Sequence, residues 1–567
     1  MRIPRLPAAA LLLLAAACAP ARSYDVVIRH GTIYDGSGKP PVAGDVAIDG
    51  DSIVAVGSIG RATGRTEIDA TGLAVAPGFI NMLSHSEESL IMDPRSQSEI
   101  RQGVTLEVFG EVSMGPLSEQ MRREALAQQG DLKYPIDWTT LGGYFDFLQR
   151  RGMAPNVASF VGLSTVREYV LHADDRAPTP AELDTMKGLV AQGMKDGALG
   201  VTTALIYTPA TFARTEELIA LSKVASSYGG MYTAHMRSEG DRLLEAIDET
   251  IRISREADLP VEIYHLKAAG NANWPKMALA IAKIDSARAA GVRITADMYT
   301  YTAGATGLDA SMPPWVQEGG LDAWIRRLKD PRIRARVRAE MDAPGKNWEN
   351  IYLAAGSPDR VLLLAFKTDS LKKYQGKTLA EVARIRRTSP EETAMDLVVQ
   401  DGTRVEVAYF IIDEENIKRQ IRQPWVSFGS DAESSAPEGD FLKSSTHPRA
   451  YGNFARLLGH YVRDEKVIPL EEAVRRLSSL PASNLGIARR GRLAPGCFAD
   501  VVVFDPNAIA DHATYDQPRQ YATGVIWVLV NGVPVLAKGE PTGAKPGRIV
   551  RGRGWSGADS ARTSSPR

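Results

Sequence analysis

The chain has 567 residues, of which 44% are hydrophobic and 24% charged, and its formal net charge at pH 7 is −1. A chain of this length accommodates one large domain and a smaller one. The balanced charge gives no electrostatic reason to bind nucleic acid, and the sequence contains no zinc-finger or RNA-binding motif. These properties indicate an ordinary globular protein and exclude the nucleic-acid-binding classes.

The first residues have the three-part pattern of a secretory signal. Two arginines precede a short apolar run within residues 1–21, too short to span a membrane as a mature helix. Two endings stay open: Ala19-Pro20-Ala21 is typical of a cleavage site that releases a soluble protein, and Ala15-Ala16-Ala17-Cys18 resembles a bacterial lipobox with an acylated cysteine. We therefore predict export, to the periplasm or as an outer-membrane lipoprotein of a bacterium. Either ending removes or modifies Cys18, which leaves Cys497 without a disulfide partner.

Strand and helix patterns divide the rest of the chain. Residues 22–76 and 491–542 contain short strand-like runs punctuated by turns, and we predict that they form one small β-sandwich together. Residues 77–490 alternate strand-like runs with helical patterns, as parallel βαβ units do. Within them, residues 313–422 are too long for one unit and predict a helical insertion that covers the substrate. Residues 543–567, rich in Gly, Arg, Ser and Pro, predict a disordered tail.

Two histidines occupy the same relative place in successive units. His235 and His265 each end a short apolar run, and apolar residues recur at helical spacing between them, from 243 to 253. A strand, a helix and a second strand of this length form a βαβ unit. The carboxyl ends of adjacent parallel strands lie side by side, so the two imidazoles should converge above the sheet. A metal ion is the simplest ligand for them.

Eight strand-like runs can be counted in the central segment, each ending near a reactive side chain. They are 74–82, 104–109, 157–162, 200–207, the run ending at His235, the run ending at His265, 292–298 and 425–428. Eight parallel strands predict a complete (β/α)₈ TIM-like barrel, with the insertion before the last strand. The active site of such a barrel lies at the carboxyl ends of its strands.

Short motifs in a fixed order relate this chain to a known family. They are Ala76-Pro77-Gly78-Phe79-Ile80, Gln102-Gly103-Val104-Thr105, Thr233-Ala234-His235-Met236-Arg237-Ser238-Glu239-Gly240, His265-Leu266-Lys267-Ala268, Gly429-Ser430-Asp431, His447-Pro448-Arg449-Ala450-Tyr451-Gly452 and Gly496-Cys497-Phe498-Ala499-Asp500. With these motifs the chain resembles the amidohydrolase superfamily, specifically the N-acyl-D-amino-acid deacylase (D-aminoacylase) family. The resemblance covers residues 24–550.

The resemblance implies a role for each motif residue. It implies His235 and His265 as zinc ligands and Asp431 as the catalytic acid/base. It also places three residues near a substrate carboxylate: Lys267, Tyr299 and Arg449. Neutral imidazole is a common zinc ligand, a carboxylate at the last strand can shuttle a proton, and the two cations suit an anionic amino acid.

The chain departs from the family pattern at three places. The first strand ends Leu83-Ser84-His85 where the superfamily usually has His-x-His, and leucine cannot bind a metal. No cysteine follows the second strand, and Glu111 is the replacement ligand that we predict, with Glu107 as the alternative. The fourth strand, residues 201–207, holds no lysine that could be carboxylated, which counts against a dinuclear hydantoinase.

These observations predict a mononuclear zinc hydrolase of N-acyl-D-amino acids. Glu111, His235 and His265 would hold one Zn²⁺ per chain, metal-activated water would attack the acyl carbonyl, and Asp431 would serve as general acid/base. His85 would hydrogen-bond the tetrahedral intermediate or Asp431. The D configuration is implied by the resemblance only.

Two other hypotheses about the function stay open. One is a different amide hydrolase that cleaves a D-dipeptide or a cyclic amide with the same residues. The other is a non-catalytic binding protein that lost its activity with Leu83. The predicted partner is in each case a small molecule with a carboxylate, and the oligomeric state is not predicted.

Overall fold

The computed structural model describes residues 22–555 and residue 557, so the predicted signal with Cys18 lies outside the described residues. The strands up to the middle of the chain are β1 (Ser23–Ile33), β2 (Val42–Asp49), β3 (Ser52–Gly57), β4 (Thr63–Asp69), β5 (Ala74–Pro77), β6 (Phe79–Ser84), β7 (Val104–Phe109), β8 (Asn156–Ser159), β9 (Val161–Gly162), β10 (Gly200–Ala204), β11 (Met231–His235), β12 (Val261–Ile263) and β13 (Ile294–Met298). The later strands are β14 (Gly304–Gly307), β15 (Val361–Ala365), β16 (Glu406–Tyr409), β17 (Val426–Phe428), β18 (Val501–Phe504), β19 (Val525–Val530), β20 (Val533–Ala537) and β21 (Glu540–Pro541).

Helices fill most of the connections between the strands. The α-helices are α1 (Ser89–Met92), α2 (Gln97–Ile100), α3 (Glu119–Gln128), α4 (Leu141–Arg151), α5 (Leu163–Leu171), α6 (Pro180–Asp196), α7 (Thr215–Ser227), α8 (Leu243–Ala257), α9 (Lys276–Ala289), α10 (Pro314–Gln317), α11 (Leu321–Leu328), α12 (Pro331–Met341), α13 (Ile351–Ala355), α14 (Leu379–Arg386), α15 (Pro390–Asp401), α16 (Glu414–Ile421), α17 (Arg449–Arg456), α18 (Leu470–Leu477) and α19 (Ser479–Asn484). A π-helix spans Leu457–Asp464, and short 3₁₀ helices span Ala210–Phe212, Leu308–Ser311, Pro358–Arg360, Asp369–Tyr374 and Gly439–Lys443. Within the described part of the chain, no helix combines the length and the apolar character needed to cross a bilayer.

Strands from both ends of the chain form one sheet, in the order β21-β20-β19-β18-β5-β1-β2-β3, with β4 paired to β1. The junction is the antiparallel pair of β5 and β18, where Ala76 lies opposite Val502. The two halves of the sheet bury one apolar cluster between them, to which Ile28, Val46 and Val503 contribute. The sandwich built from both chain ends is therefore confirmed.

Eight parallel strands form the central ring. One sheet has the order β17-β13-β12-β11-β10-β9, and the other has β6-β7-β8. The third predicted strand is interrupted at Phe160, where β8 ends and β9 begins, so it links the two sheets. At the other junction the Asp431 N–H donates to the Leu83 carbonyl (2.9 Å) and the His85 N–H to the Ala432 carbonyl (3.0 Å). These contacts close the barrel.

The unit that carries both histidines folds as its sequence pattern predicts. The helix α8 connects β11 to the parallel strand β12. Its buried face includes Leu243, Ile247 and Ile251, because residues three or four apart lie on one side of a helix. The helix ends at Asp258, which adopts the left-handed conformation of a C-terminal cap.

The first predicted strand, residues 74–82, is divided in the structure. Its first half is β5 of the outer sheet and its second half is β6 of the barrel. The chain passes between the sheets at Gly78, where a Cβ would lie 2.2 Å from the Thr105 Oγ1. Only glycine fits this crossing, so one apolar run serves two sheets.

The insertion is not purely helical as predicted. It contains several helices, but its strands β15 and β16 pair with each other, and β16 also pairs with β14, which makes a three-stranded antiparallel sheet. The run Val361–Ala365 is continuously apolar and largely buried, which suits a strand covered on both faces. Residues 365–367 and 403–406 of the insertion line the cavity above the barrel, as a segment that covers substrate should.

The predicted disorder of the tail is wrong for residues 543–555. The Gly547 N–H donates to the Met153 carbonyl (2.8 Å), and the Val550 N–H donates to the Val157 carbonyl (2.7 Å). These backbone bonds, and the burial of Val550 in an apolar cluster, fix the segment beneath β8. The composition of this segment, rich in Gly and Arg, gives no sign that the short apolar stretch around Val550 is buried. Residues 558–567 lie outside the described part.

Candidate metal centre and active site

Three candidate site residues have a backbone conformation that side chains other than glycine rarely adopt. Glu111, His265 and Asp431 have φ angles of 65°, 35° and 51°, and they follow β7, β12 and β17. Such left-handed conformations cost about 1–3 kcal/mol each and persist where the surroundings impose them. They cluster here at the carboxyl end of the barrel.

Hydrogen bonds to side chains of other barrel strands hold Glu111 and His265 in this conformation. The Glu111 N–H donates to Thr202 Oγ1 (2.9 Å), and the His265 N–H donates to Asp297 Oδ1 (2.7 Å). Thr202 lies on β10 and Asp297 on β13, so the acceptors belong to the rigid ring and not to a loop. The ring thus turns the side chains of Glu111 and His265 toward its axis.

Glu111, His235 and His265 form a compact group, which we call the metal-binding triad. Glu111 Oε1 lies 2.7 Å from His265 Nε2 and 3.2 Å from His235 Nδ1. One potential ligand atom from each residue lies within 4.8 Å of the others, and all three residues are buried. Within residues 22–555, the buried Nε2 of His235 has no hydrogen-bond partner. A carboxylate, two imidazoles and an unpartnered donor fit a divalent metal such as zinc.

The charges around the triad also favour a cation. Burial raises the pKa of the Glu111 carboxyl, but hydrogen bonds from both histidines hold that pKa well below its usual range. Burial and Lys267 lower the pKa of His265, yet the nearby carboxylates of Asp431, Glu239 and Glu111 raise it to about 10. The site therefore favours positive charge at its centre, which a bound metal ion would supply.

Lys267 lies behind the triad. Its Nζ is 2.7 Å from Glu239 Oε1 and 2.7 Å from His265 Nδ1. Glu239 also lies 3.0 Å from His265 Nδ1, so a carboxylate orients this imidazole as it does in many zinc sites. Lys267 is thus neutralised by Glu239, and its predicted contact with a substrate carboxylate stays a prediction.

His85 and Asp431 form a second pair beside the triad. His85 Nε2 is 3.0 Å from Asp431 Oδ1 and 3.8 Å from Glu111 Oε2. Burial lowers the pKa of His85, but the carboxylates of Asp431 and Glu111 outweigh it and raise this pKa to about 9. His85, Glu111 and Asp431 also offer ligand atoms within 4.8 Å of one another, so Glu111 is shared between two candidate metal positions.

Arg449 and Tyr299 face the same space from the other side. The Arg449 guanidinium lies 4.6 Å from the Tyr299 ring centre, and its Nη1 is 2.7 Å from Asp431 Oδ2. Among the described residues, the Nε of Arg449 and the hydroxyl of Tyr299 are buried without a hydrogen-bond partner. The backbone N–H of Arg449 donates to His447 Nδ1 (3.0 Å), which fixes the start of the helix that carries it. Two unsatisfied donors side by side suit an anion.

These groups open into one cavity of about 750 Å³. Glutamates line the wall next to His85 and have unusual acidities. Burial, with a smaller contribution from the nearby carboxyl group of Glu88, raises the pKa of Glu87 to about 8. Burial and the carboxyl group of Glu406 raise the pKa of Glu433 to about 7, although the charge of Arg519 opposes them. Burial likewise raises the pKa of Glu168, farther along the cavity, to about 7.

The structure brings most of the predicted site residues together. The metal-binding triad, His85, Asp431, Lys267, Tyr299 and Arg449 all line the cavity. Glu107, the alternative ligand, does not: it is fully buried below the cavity and accepts a hydrogen bond from Ser84 Oγ (3.0 Å). Sequence reasoning missed the roles of Glu239 and Thr202, although Glu239 stands four residues after His235 and could have been tested as its neighbour.

A parallel eight-stranded barrel with histidines and carboxylates at its carboxyl end defines the class of metal-dependent hydrolases built on this fold. Residues 66–536 match the amidohydrolase family, and the chain belongs to it. It is therefore a hydrolase that acts on carbon–nitrogen bonds other than peptide bonds. The chain is 34% identical to a D-aminoacylase of Alcaligenes xylosoxydans xylosoxydans over 538 residues, which are 93% of this chain and 97% of that protein.

Solved structures give the same family relationship. A D-aminoacylase described as having a binuclear metal centre, with one-metal activation and second-metal attenuation, aligns with a TM-score of 0.77 at 31% identity, over 93% of this chain and all of that one. The N-acyl-D-glutamate deacylase of Bordetella bronchiseptica, in complex with zinc and a phosphonate mimic of the tetrahedral intermediate, aligns with a TM-score of 0.76 at 30% identity, over 94% of this chain and all of that one.

Proposed function

We propose that this protein hydrolyses the amide bond of N-acyl-D-amino acids, releasing a D-amino acid and a carboxylate, with one zinc ion at the metal-binding triad. The observation that carries the proposal is the convergence, in one cavity, of the triad, the His85–Asp431 pair and the unsatisfied donors of Arg449 and Tyr299. The D-aminoacylase and deacylase relatives support the substrate class.

The triad residues are suited to a single tightly held ion. A bound zinc ion polarises a carbonyl group and lowers the pKa of water to near 7. Glu239 holds the His265 imidazole in place through its Nδ1. The second candidate position has weaker support, because Leu83 supplies no ligand and Arg449 already pairs with Asp431.

Asp431 is placed to move the proton. It takes a proton from the attacking water and later delivers it to the departing amine. In the substrate-free arrangement burial raises its pKa, but Arg449 and His265 lower it below the usual range, which makes Asp431 a weak base. When a substrate carboxylate binds Arg449, it competes with Asp431 for the guanidinium, and Asp431 becomes more basic. Binding of the α-carboxylate thus prepares the base for the reaction.

The test compares one N-acetyl-D-amino acid with its L-form and with its α-carboxamide. We expect cleavage of the D-form only. The L-form has the configuration opposite to the one named for the relatives. The neutral amide leaves the buried Nε donor of Arg449 without an anionic partner, at a cost of about 1–3 kcal/mol or more. Loss of the carboxylate should lower kcat as well as raise KM, since Arg449 also controls the basicity of Asp431. Equal rates on the D- and L-forms would contradict the deacylase assignment and leave a D-dipeptidase or cyclic amidase to be tried.

Elemental analysis of the purified protein tests the metal content independently. We expect about one equivalent of zinc per chain after dialysis, and two equivalents would contradict the mononuclear proposal. This measurement does not depend on knowing the substrate.

We also propose that the protein is exported, in one of two forms. It is either a lipoprotein anchored through Cys18 or a soluble protein cleaved after Ala21. The support is the basic start, the short apolar run and the Ala15-Ala16-Ala17-Cys18 sequence. Fractionation of the producing bacterium, with mass spectrometry of the mature N-terminus, separates the two forms. An N-terminus at Cys18 bearing lipid identifies the lipoprotein, one after Ala21 identifies the soluble periplasmic form, and an intact Met1 contradicts export.

A further inference from the structure

The cavity holds more carboxyl groups than the proposed chemistry uses. Nine carboxyl groups line it, but only four Lys or Arg side chains do. Three of these cations, Lys267, Arg404 and Arg449, each lie within 3.0 Å of a carboxylate. The fourth, Lys367, donates from Nζ to the Ala127 carbonyl (2.7 Å) at the rim. The cations of the cavity are therefore already engaged.

Three of the carboxyl groups form what we call the acidic wall: Glu87, Glu88 and Glu433. None of them makes an ion pair with a lysine or arginine within residues 22–555. Glu87 is only 5% exposed, it lines the cavity, and its Oε1 has no hydrogen-bond partner within the same residues. An ionised carboxylate without a partner is costly in such a place, and a cation that arrives with the ligand would stabilise its charged form.

The acidic wall adjoins His85, whose charge lowers the pKa of both Glu87 and Glu433. Glu87 follows His85 by two residues, and Glu433 follows Asp431 by two. Two members of the wall are therefore close in sequence to the His85–Asp431 pair. Arg449 contacts Oδ2 of Asp431, whereas His85 contacts Oδ1 of the same carboxylate. A substrate carboxylate at Arg449 would therefore leave the rest of the substrate to extend toward the wall.

We propose that the acidic wall binds a positively charged amine or guanidinium of the substrate, carried on the side chain of the D-amino acid or on its acyl group. This inference rests on the proposed function and narrows its substrate class to zwitterionic amides. Charge-assisted hydrogen bonds between the cation and the wall would replace the missing ion pairs. The carboxylate would bind at Arg449 and the cation at the acidic wall.

The experiment uses the zinc-loaded full chain and three compounds of matched size. N-acetyl-D-lysine carries the cation on the side chain, glycyl-D-norleucine carries it on the acyl group, and N-acetyl-D-norleucine carries none. We expect kcat/KM for one of the two cationic compounds to exceed that for the neutral compound by tenfold or more. The cationic compound with the higher kcat/KM shows whether the cation belongs on the side chain or on the acyl group.

Two variants and a control connect this preference to the wall. Glu433→Gln and Glu88→Gln should each reduce the ratio of cationic to neutral kcat/KM by about tenfold, and both keep the side-chain volume. Glu124→Gln alters an exposed glutamate outside the cavity and should leave the ratio unchanged. Circular dichroism and zinc content establish that each variant is folded and loaded.

The inference would be overturned if N-acetyl-D-norleucine is cleaved and neither cationic compound has a higher kcat/KM than it does. The deacylase function would then still stand. A second zinc equivalent that is lost in Glu87→Gln would also overturn the inference, because the wall would then serve a metal. If none of the three compounds is cleaved, the proposed function fails, and calorimetry with the same compounds still tests the wall. Tighter binding of a cationic compound by tenfold supports the inference, and equal Kd values overturn it.

Discussion

His85 and Asp431 are 346 residues apart in sequence, yet His85 Nε2 lies 3.0 Å from Asp431 Oδ1. The two residues follow the first and the last strand of the barrel, and backbone hydrogen bonds join those strands at the same level. This pair therefore forms only when the ring closes. This links the correct fold of the barrel directly to the chemistry above it.

Removing the base should separate metal binding from turnover. Asp431→Asn keeps the shape of the side chain but cannot accept a proton, and general acid–base catalysis contributes typically about 10²–10⁴-fold. We expect kcat to fall by at least about 100-fold, while the zinc content stays that of the wild type. Steady-state kinetics and elemental analysis of the same preparation check both expectations. A variant that retains turnover would show that another residue is the base.

Replacing the carboxylate of the triad should weaken zinc binding. Glu111→Gln removes a ligand that lies between His235 and His265, and we expect the Kd for zinc to rise by tenfold or more. The matched control is Glu107→Gln, the same change on the preceding strand at a fully buried site that accepts a hydrogen bond from Ser84.

Competition with a chromogenic chelator measures both Kd values. The control should leave zinc affinity within about threefold of the wild type, because indirect effects on a site are smaller than loss of a ligand. If Glu107→Gln proves the more damaging change, the assignment of Glu111 is wrong.

The hydrogen bond that holds Glu111 in its left-handed conformation should also contribute to zinc affinity. Thr202→Val is nearly isosteric and removes the acceptor for the Glu111 N–H. We expect about tenfold weaker zinc binding, the lower end of the effect of residues that orient ligands. Thr203→Val is the control, because Thr203 is equally buried but bonds with the Tyr232 hydroxyl. Equal losses in both variants would mean that the effect is one of general stability.

The sequence predicts the barrel well because regular periodicity determines it. The run 104–109 is β7 without change, and the helical pattern between His235 and His265 is α8 with its predicted buried face. Periodicity does not predict where one apolar run is divided between two strands. The break at Gly78 depends on the Thr105 side chain, which approaches from a strand 27 residues later in the chain.

The family resemblance implied residues such as Arg449, but the residue pattern alone could predict the candidate site only where a residue ends a strand. Glu111 and His265 do so, and the structure places them in the triad. The contacts that such a residue makes with residues of another strand carry no local signal. Glu239 orients His265 and neutralises Lys267, so the predicted contact of Lys267 with a substrate carboxylate stays a prediction. A local pattern cannot reveal which charge is already neutralised by a distant one.

The last prediction concerns the stability of the barrel interior. Glu262 is fully buried on β12, and its carboxyl group accepts hydrogen bonds from Ser427 Oγ (3.0 Å) and Asn484 Nδ2 (3.1 Å). Burial outweighs these bonds and raises the pKa of Glu262 from 4.5 to about 7. Below pH 4.5 the group is protonated in the folded and the unfolded chain alike. Between pH 4.5 and about 7 the unfolded chain releases the proton first, so the free energy of unfolding falls as the pH rises.

Glu262→Gln removes this titration and keeps the side-chain volume. The difference in Tm, variant minus wild type, should therefore be more positive at pH 8 than at pH 5, whatever its absolute value. Thermal unfolding at both pH values measures it, with Glu415→Gln as the control at an exposed glutamate of the neighbouring helix α16. The control should give the same difference at both pH values. A difference for Glu262→Gln that does not change with pH, or that becomes more negative at pH 8, would mean that Glu262 is ionised in the folded protein and stabilised by its hydrogen bonds.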